Sequence, residues 1–423
     1  MRTIKLTKIT AAFEYLLVLI VIINNYTMFQ RDVYYNFSES RLCLVFSFLC
    51  IGIVFLRCMS GAIRFNSKYL LAIIMLTGFS FLTTIVPGGQ FIPGTVKWSI
   101  PFMTCSFFCA CHEDTKTLWA RFANVMFIIA SLSLFLFISG TILQIIPPTR
   151  SAKFLYDGDY VRANTYYNFQ YEAQRVQGAG FFGIQYRNCC FFIEAPMYNL
   201  MLCLAFAAEA GLRKKPRIVV LAVLAASILS TFSTTGILFL MAMIVLYLWN
   251  TGKAPIIRFL KIAMIPAAIG TAAYIAYYLI QTKQNTSAGG ESFSVRLDHL
   301  VACLKMFIHR PLLGYGFGNS DAFYAYTKYK QGFSIGLPAF LGFTGLPLFL
   351  LYLLPFINRV ITSLRNNRAE LLFWIGTFIC FFLTASVYKL IFLFLMCTQI
   401  MWKDDSSGKN VLYSKIQEAL KIS

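Results

Sequence analysis

The sequence predicts an all-α polytopic membrane protein of about twelve transmembrane helices, with both termini cytoplasmic. Three observations lead there. Mean hydropathy is +0.67, and 58% of the 423 residues are hydrophobic against only 13% charged, outside the range of soluble globular chains. The apolar residues gather in stretches approaching the roughly 20 needed to cross a bilayer. The basic residues alternate between the gaps that separate those stretches. With a cytoplasmic N-terminus, 22 of the 37 Lys and Arg fall in inner segments, among them Arg57, Lys116, Arg121, Arg213, Lys214, Lys215, Arg217 and Arg359. Only Arg31, Arg41, Lys97 and Lys389 fall in short outer gaps, the asymmetry that orients membrane proteins.

Taken in order, the predicted spans are 10–29, 42–58, 69–86, 96–112, 121–146, 188–211, 217–232, 235–250, 262–280, 334–357, 369–386 and 388–402. The chain reads as one integral membrane domain, 1–423, with two long outer segments at about 147–187 and 281–333 that carry short amphipathic helices. The first span has a basic start but no small-residue cleavage site, so it is expected to be retained. A net charge of +20 would point to nucleic acid in a soluble protein. Here most of the excess is inner-loop charge, so nucleic acid is not expected as a partner. Most of the twelve cysteines lie within spans, where Cys serves as a small apolar residue. Cys105, Cys109, Cys111 and His112 form the one cluster of metal-ligand types. No second ligand pair at zinc spacing accompanies it, so no metal is expected.

The remaining basic residues crowd into the two outer segments, where they have no topological task, since long loops cross regardless of charge. The first, PPTRSAKFLYDGDYVRANTYYNFQYEAQRVQGAGFFGIQYR, is rich in Tyr, Arg and Gln. Aromatic platforms mixed with Arg and amides suit sugar faces and phosphates; a Tyr-rich belt lying on the membrane is the plainer alternative. In the second, Leu297, Leu300, Val301, Leu304, Phe307 and Ile308 fall on one stripe at helical spacing, and Pro311 ends the run. A helix docked by that stripe would carry Arg296, His299, Cys303 and Arg310 along one flank, or would lie in the interface as an amphipathic helix with solvated charges. Gly314, Gly316 and Gly318 follow in PLLGYGFGNS, a turn whose amides could hold an anion.

Charged residues inside the spans are few: Glu14, Glu194, Glu209 and Lys389. Intramembrane carboxylates mark function by default. Glu14 and Glu209 fall near the inner surface. Glu194 is expected about two turns inside the outer end of its helix, below Arg187 on the same face and beside Pro196.

Two segments resemble a known family. RLDHLVACLKMFIHRPLLGYGFGN (296–319) resembles the C-terminal signature of the O-antigen ligase and Wzy-type polysaccharide polymerase superfamily, and RNCCFFIEAPMYN (187–199) resembles an upstream segment of its polymerases. STFSTTG (230–236) also resembles a shared Ser-x-x-Gly run. The resemblance implies a glycosyltransferase that joins undecaprenyl-diphosphate-linked oligosaccharides on the outer face of the bacterial cytoplasmic membrane, making O-antigen or capsular polysaccharide without a cofactor. A chain-length regulator and a flippase are its implied partners. Ligases of the superfamily usually carry a His-Asn pair where this chain has Ser334 and Ile335, so the polymerase reading leads and the ligase follows. A lipid-linked oligosaccharide flippase is the alternative from another class, though transporters favour mid-membrane polar residues and matched broken helices. On this reading Arg187 and Arg296, then Arg175 and Arg310, bind the diphosphate. The base is Glu194 or His299.

Overall fold

The computed structural model describes residues 2–61, 65, 67–86, 88–156, 159–176, 184–250, 287–330, 334–366, 368–384 and 386–402. Helices lie over every predicted span except 262–280, which lies outside the described residues. They are α1 (Arg2–Ile23), the one-turn α2 (Met28–Arg31), α3 (Glu39–Met59), α4 (Leu70–Ile85), the short α5 (Phe91–Gly94), α6 (Ile100–Cys111), α7 (Lys116–Leu136), α8 (Ala195–Leu212), α9 (Ile218–Ser230) and α10 (Thr234–Asn250). After these come α11 (Ser287–His309), the short α12 (Ser320–Tyr324), α13 (Leu337–Asn366), α14 (Arg368–Leu383) and α15 (Leu390–Ile400). Five helices are long and apolar enough to cross a membrane and several shorter ones are equally apolar, among the described residues. The chain is therefore a largely helical, multi-pass membrane protein.

The faces of these helices say what surrounds them. On α3, Cys43, Phe46, Cys50 and Ile53 are buried while Phe48, Ile51 and Phe55 are exposed. On α7, Phe122, Met126, Ile129 and Ala130 are buried while Ile128, Leu132 and Phe135 are exposed. Both faces are apolar at helical spacing. In water the outer face would be a large sticky patch, whereas against lipid it is the proper solvent surface. α8 sits at the centre and is enclosed on nearly every side. Its Ala205, Ala207, Ala208, Ala210 and Gly211 let neighbours approach closely. A Cβ on Gly211 would come within 2.8 Å of the Phe373 amide nitrogen on α14.

Charge pairs sort the helix ends into two groups. At one end, the buried Glu14 carboxylate meets Arg57 at 2.7 Å and Arg121 at 2.6 Å, with His112 at 3.3 Å. Glu209 is bound there by Arg213 and Arg217, which share Asn124 Oδ1 of α7. At the other end Glu39 joins Lys97 at 3.2 Å and Lys389, while the Leu390 amide donates to Asn24 Oδ1 at 3.1 Å. The helices α1, α3 and α6 run between the two groups.

Three readings need correction. The first outer segment carries a sheet, not an amphipathic helix, so the protein is not wholly α. Strands β1 (Arg150–Tyr156), β2 (Asp159–Tyr166) and β3 (Gln170–Tyr171) form an antiparallel order β1-β2-β3, with Arg150 opposite Thr165 and Tyr156 opposite Asp159. Ala152 and Phe154 face inward while Ser151 and Lys153 face out. That two-residue alternation specifies a strand, and composition alone hides it.

The second correction concerns α11. Of the apolar stripe meant to dock it, Leu297, Val301, Leu304 and Ile308 are exposed and Leu300 and Phe307 half-buried, while His299, Ala302, Cys303 and Met306 are buried instead. Lipid reverses the usual rule: the apolar face can be left outside, and the face with hydrogen-bonding groups turns toward protein.

The third concerns the glycine turn. Its amides are already committed: Gly316 N–H donates to Phe343 O at 2.9 Å, Phe317 N–H to Thr83 O at 2.7 Å, and Gly314 N–H to Arg310 O at 3.1 Å. It is a packing device with no amide nest for an anion. Opposite it α13 breaks at Gly345, where φ is 73° and ψ −176°; the Leu346 amide donates to Pro311 O at 2.7 Å. A Cβ on Gly345 would lie 2.3 Å from Leu312 O, in a conformation essentially reserved for glycine. Gly345→Ala is expected to cost about 1–3 kcal/mol and to lower the thermal unfolding midpoint in detergent. Gly78→Ala, with nothing within 4 Å, should leave that midpoint unchanged or raised.

Candidate functional site

The predicted site residues fall into two pairs and two further arginines. Arg296 and His299 are one helical turn apart near the middle of α11. His299 is fully buried, its ring edge-on to Phe323 at 4.9 Å. Its Nε2 faces the Tyr329 carbonyl at 3.2 Å, so that nitrogen carries the proton. Nδ1 then has a free lone pair and accepts from the Ser334 hydroxyl at 2.7 Å. Burial, first, holds the imidazole below its ordinary value of 6.5, because an imidazolium there would lose its hydration.

The loop that presents the Tyr329 carbonyl is held by Asp298. One carboxylate oxygen accepts from the Thr327 hydroxyl and from the backbone amides of Lys328, at 2.7 Å, and Tyr329, at 3.4 Å. These bonds to its charged form keep the Asp298 carboxyl below the usual range despite the desolvation that opposes them. The chain of contacts from Asp298 through the 327–329 turn to His299 and Ser334 fixes one tautomer and aims its lone pair at one hydroxyl. Ser334 itself is only half-buried.

Arg296 is half-buried and makes no hydrogen bond or ion pair among the described residues. Burial alone lowers its affinity for the proton. A guanidinium desolvated without an anion is costly unless one arrives.

The second pair sits at the entry to α8. Residues 187–194 are not helical. Glu194 is the residue before the first turn, with φ −131° and ψ 142°, and Pro196 begins the helix where its missing donor costs nothing. The expected helical stacking of Glu194 below Arg187 is thus replaced by a turn clamped at both ends by Gln174. The Gln174 carbonyl accepts from the Arg187 amide at 2.9 Å, and its side-chain oxygen accepts from the Ala195 amide at 3.1 Å. Glu194 remains close enough to favour the charged form of Arg187, against the burial that pulls it down. Arg187 donates Nε to the Thr231 carbonyl at 2.7 Å and Nη2 to the Phe232 carbonyl at 3.4 Å. It therefore ties off the α9–α10 turn, where Phe232 has φ 49°, and keeps part of its five-donor fork for another partner.

Arg175 pairs in the backbone with Tyr186, the residue before Arg187, and Arg310 follows the last residue of α11. Arg175 is exposed against the Tyr186 ring at 5.5 Å, and Arg310 is exposed over Tyr315 at 4.6 Å. Sequence reasoning missed Asp298 as the loop organiser, and Gln174 and Tyr329 altogether. These roles depend on contacts 13 or more positions apart, which no local pattern carries.

Residues 219–342 match the Wzy_C family model, described as O-antigen ligase. The match shows the resemblance to the O-antigen ligase and polymerase superfamily, and it contains Arg296, His299, Arg310 and Ser334, with Arg175, Arg187 and Glu194 upstream of it. No curated protein and no solved structure matches the chain.

With His299 labelled and followed by NMR in detergent, its imidazole should titrate below pH 6.5. Asp298 contributes a charge that raises that value, so Asp298→Asn should move it further down. An upward movement would mean that Asp298 does not act on the ring.

Proposed function

We propose that this chain is a polysaccharide polymerase. It transfers a growing glycan from undecaprenyl diphosphate to the distal sugar of the next lipid-linked repeat unit, on the outer face of the bacterial cytoplasmic membrane. The orientation places the sheet, α11 and the entry to α8 outside, and the Glu14 and Glu209 clusters inside. One observation carries the reading: Arg296, a half-buried guanidinium without a partner among the described residues. A diphosphate leaving group supplies the missing anion, in the bidentate geometry that arginine favours.

In the reaction the acceptor hydroxyl loses its proton, its oxygen bonds to the anomeric carbon, and the carbon–oxygen bond to the diphosphate breaks with the electron pair on the departing phosphate. Arg296, assisted by the free part of the Arg187 fork, offsets that charge as it develops. The proton passes to Ser334 Oγ while the Ser334 proton moves to His299 Nδ1, so His299 acts through the serine. Glu194 is the other base, and its closeness to Arg187 supports a role in orienting that arginine. The family model's description favours a ligase as the second reading. The flippase reading has less behind it, since Glu14, Glu209 and Lys389 are all engaged in ion pairs.

Purified protein given lipid-linked repeat units alone should produce a ladder of polymer. Product only on addition of a separate lipid acceptor would replace the polymerase with a ligase. Arg296→Lys should lower turnover by roughly 10²–10³-fold, and Ser334→Ala and His299→Gln by similar factors, since general-base catalysis contributes roughly 10²–10⁴-fold. Because the imidazole must be neutral, activity should hold down to a pH below 6.5 before falling on the acid side. If Glu194→Gln alone abolishes turnover, the base assignment passes to Glu194. For orientation, Ser151→Cys should react with an impermeant thiol reagent in intact spheroplasts and Lys215→Cys should not; the reverse pattern inverts the protein.

A further inference from the structure

A second site lies between the end of α7 and the sheet, with Tyr186, the residue before Arg187, in its wall. The last turns of that helix, Phe137–Ile142, widen into a π-helix, a local irregularity often found at functional sites. Gln144 follows in the left-handed region at φ 53°. Against this end pack β2 and the returning chain at 184–186. They enclose an open cleft of about 570 Å³, lined among others by Thr141, Gln144, Asn164, Tyr166, Glu172 and Tyr186. That volume is in the range of small-molecule sites.

The chemistry of the lining is specific. Glu172 accepts from Asn164 Nδ2 at 3.0 Å on one oxygen and from the Tyr166 hydroxyl at 2.8 Å on the other. An ionised carboxylate has about four acceptor positions, so each oxygen keeps one for a ligand hydroxyl. Burial, with the carboxylate beside it, pushes the Tyr166 phenol up to about 12, which keeps it a neutral donor to Glu172. The Thr141 hydroxyl is buried beside the Tyr166 phenol, whose value it pulls down against the burial, and it adds a further hydroxyl to the lining. Tyr186 adds an aromatic face and Gln144 and Gln185 add amides. Among the described residues no Lys or Arg lines the cleft and Glu172 is its one charged lining residue, Arg175 being engaged with the ring and hydroxyl of Tyr186, so phosphates and acidic sugars are disfavoured. A ligand with many hydroxyls, one apolar face and no negative charge meets all of these terms.

We propose that this cleft binds a neutral or N-acetylated sugar residue of the glycan. Its position fits a lipid-linked source: Ile138, Ile142, Leu143 and Ile145, at its helical edge, are exposed apolar residues that mark where lipid contact ends. A sugar attached to a membrane-anchored lipid would be held at that level. The polymerase reading supplies this source, but sugar binding by the cleft is independent of whether any bond is made.

The test is binding, not turnover. Saturation-transfer NMR on the purified full chain in detergent would use glucose, galactose, rhamnose, N-acetylglucosamine, N-acetylgalactosamine and glucuronate as probes. At least one neutral or N-acetylated sugar should give transfer at millimolar concentration, and glucuronate none. Gln185→Trp, at an exposed position, should fill the cleft and reduce that signal at least fivefold while the protein remains folded. Tyr186→Ala should reduce it as well, and Tyr160→Ala, exposed on the sheet outside the cleft, should not. The proposal is overturned if no neutral sugar binds, or if binding survives both Gln185→Trp and Tyr186→Ala. Sugar binding in a protein that makes no polymer would leave the cleft standing and remove the polymerase. Polymerisation with an unchanged KM in both cleft variants, together with no sugar binding, would do the opposite.

Discussion

A carboxylate inside a bilayer must be neutralised where it stands, and much of this architecture follows from where that happens. Glu14 on α1 is reached by Arg57 at the end of α3, His112 just beyond α6 and Arg121 at the start of α7. One buried charge thus ties together four segments distant in sequence. Removing one partner of such a group typically costs several kcal/mol, about 3–5, because the other charge is left uncompensated. Glu39 does the same at the opposite end for α3, the start of α6 and the start of α15. Between these two sets the helices need only apolar packing, and α8 with its alanines fills the middle. Against that background Arg296 stands out: it is half-buried and has neither an ion pair nor a hydrogen bond among the described residues.

Much of the helical framework is legible in the sequence because lipid imposes a length and a composition together. Short apolar pairs such as 217–250 resolve into separate helices, since Thr231–Ser233 turn the chain and Arg187 ties off the exposed carbonyls. What sequence reading loses is anything that depends on which face of an element meets protein. The period in α11 is right, yet the stripe points outward, because hydrophobic periodicity identifies a face without saying whether core or lipid lies against it. The sheet at 150–171 escapes for another reason: its tyrosines and arginines read as composition, and the alternation of Ala152 and Phe154 with Ser151 and Lys153 is brief.

The site shows the same division. Arg296 and His299 can be read from the helix flank, because one turn is a local relation. Thr327, Tyr329 and Ser334 cannot, because the chain after α12 brings them to the helix, and the role of Asp298 on α11 shows only once that loop is in place. The family signature itself turns out to be largely architecture. The Pro-Leu-Leu-Gly-x-Gly-x-Gly run is pressed into the break at Gly345 and against the Thr83–Gly89 turn, and this holds α11 at the mouth of the molecule. Glycines chosen for close approach, not for anion binding, account for the motif.

The outward stripe of α11 has a consequence for how the protein can be handled. Leu297, Val301, Leu304 and Ile308 form an amphipathic helix turned inside out, with its hydrophobic side held to the membrane and its histidine held to the protein. Surface engineering that replaces exposed leucines with charged residues to improve solubility would detach this helix from the lipid, each such change forgoing roughly 1.5–3 kcal/mol of apolar transfer.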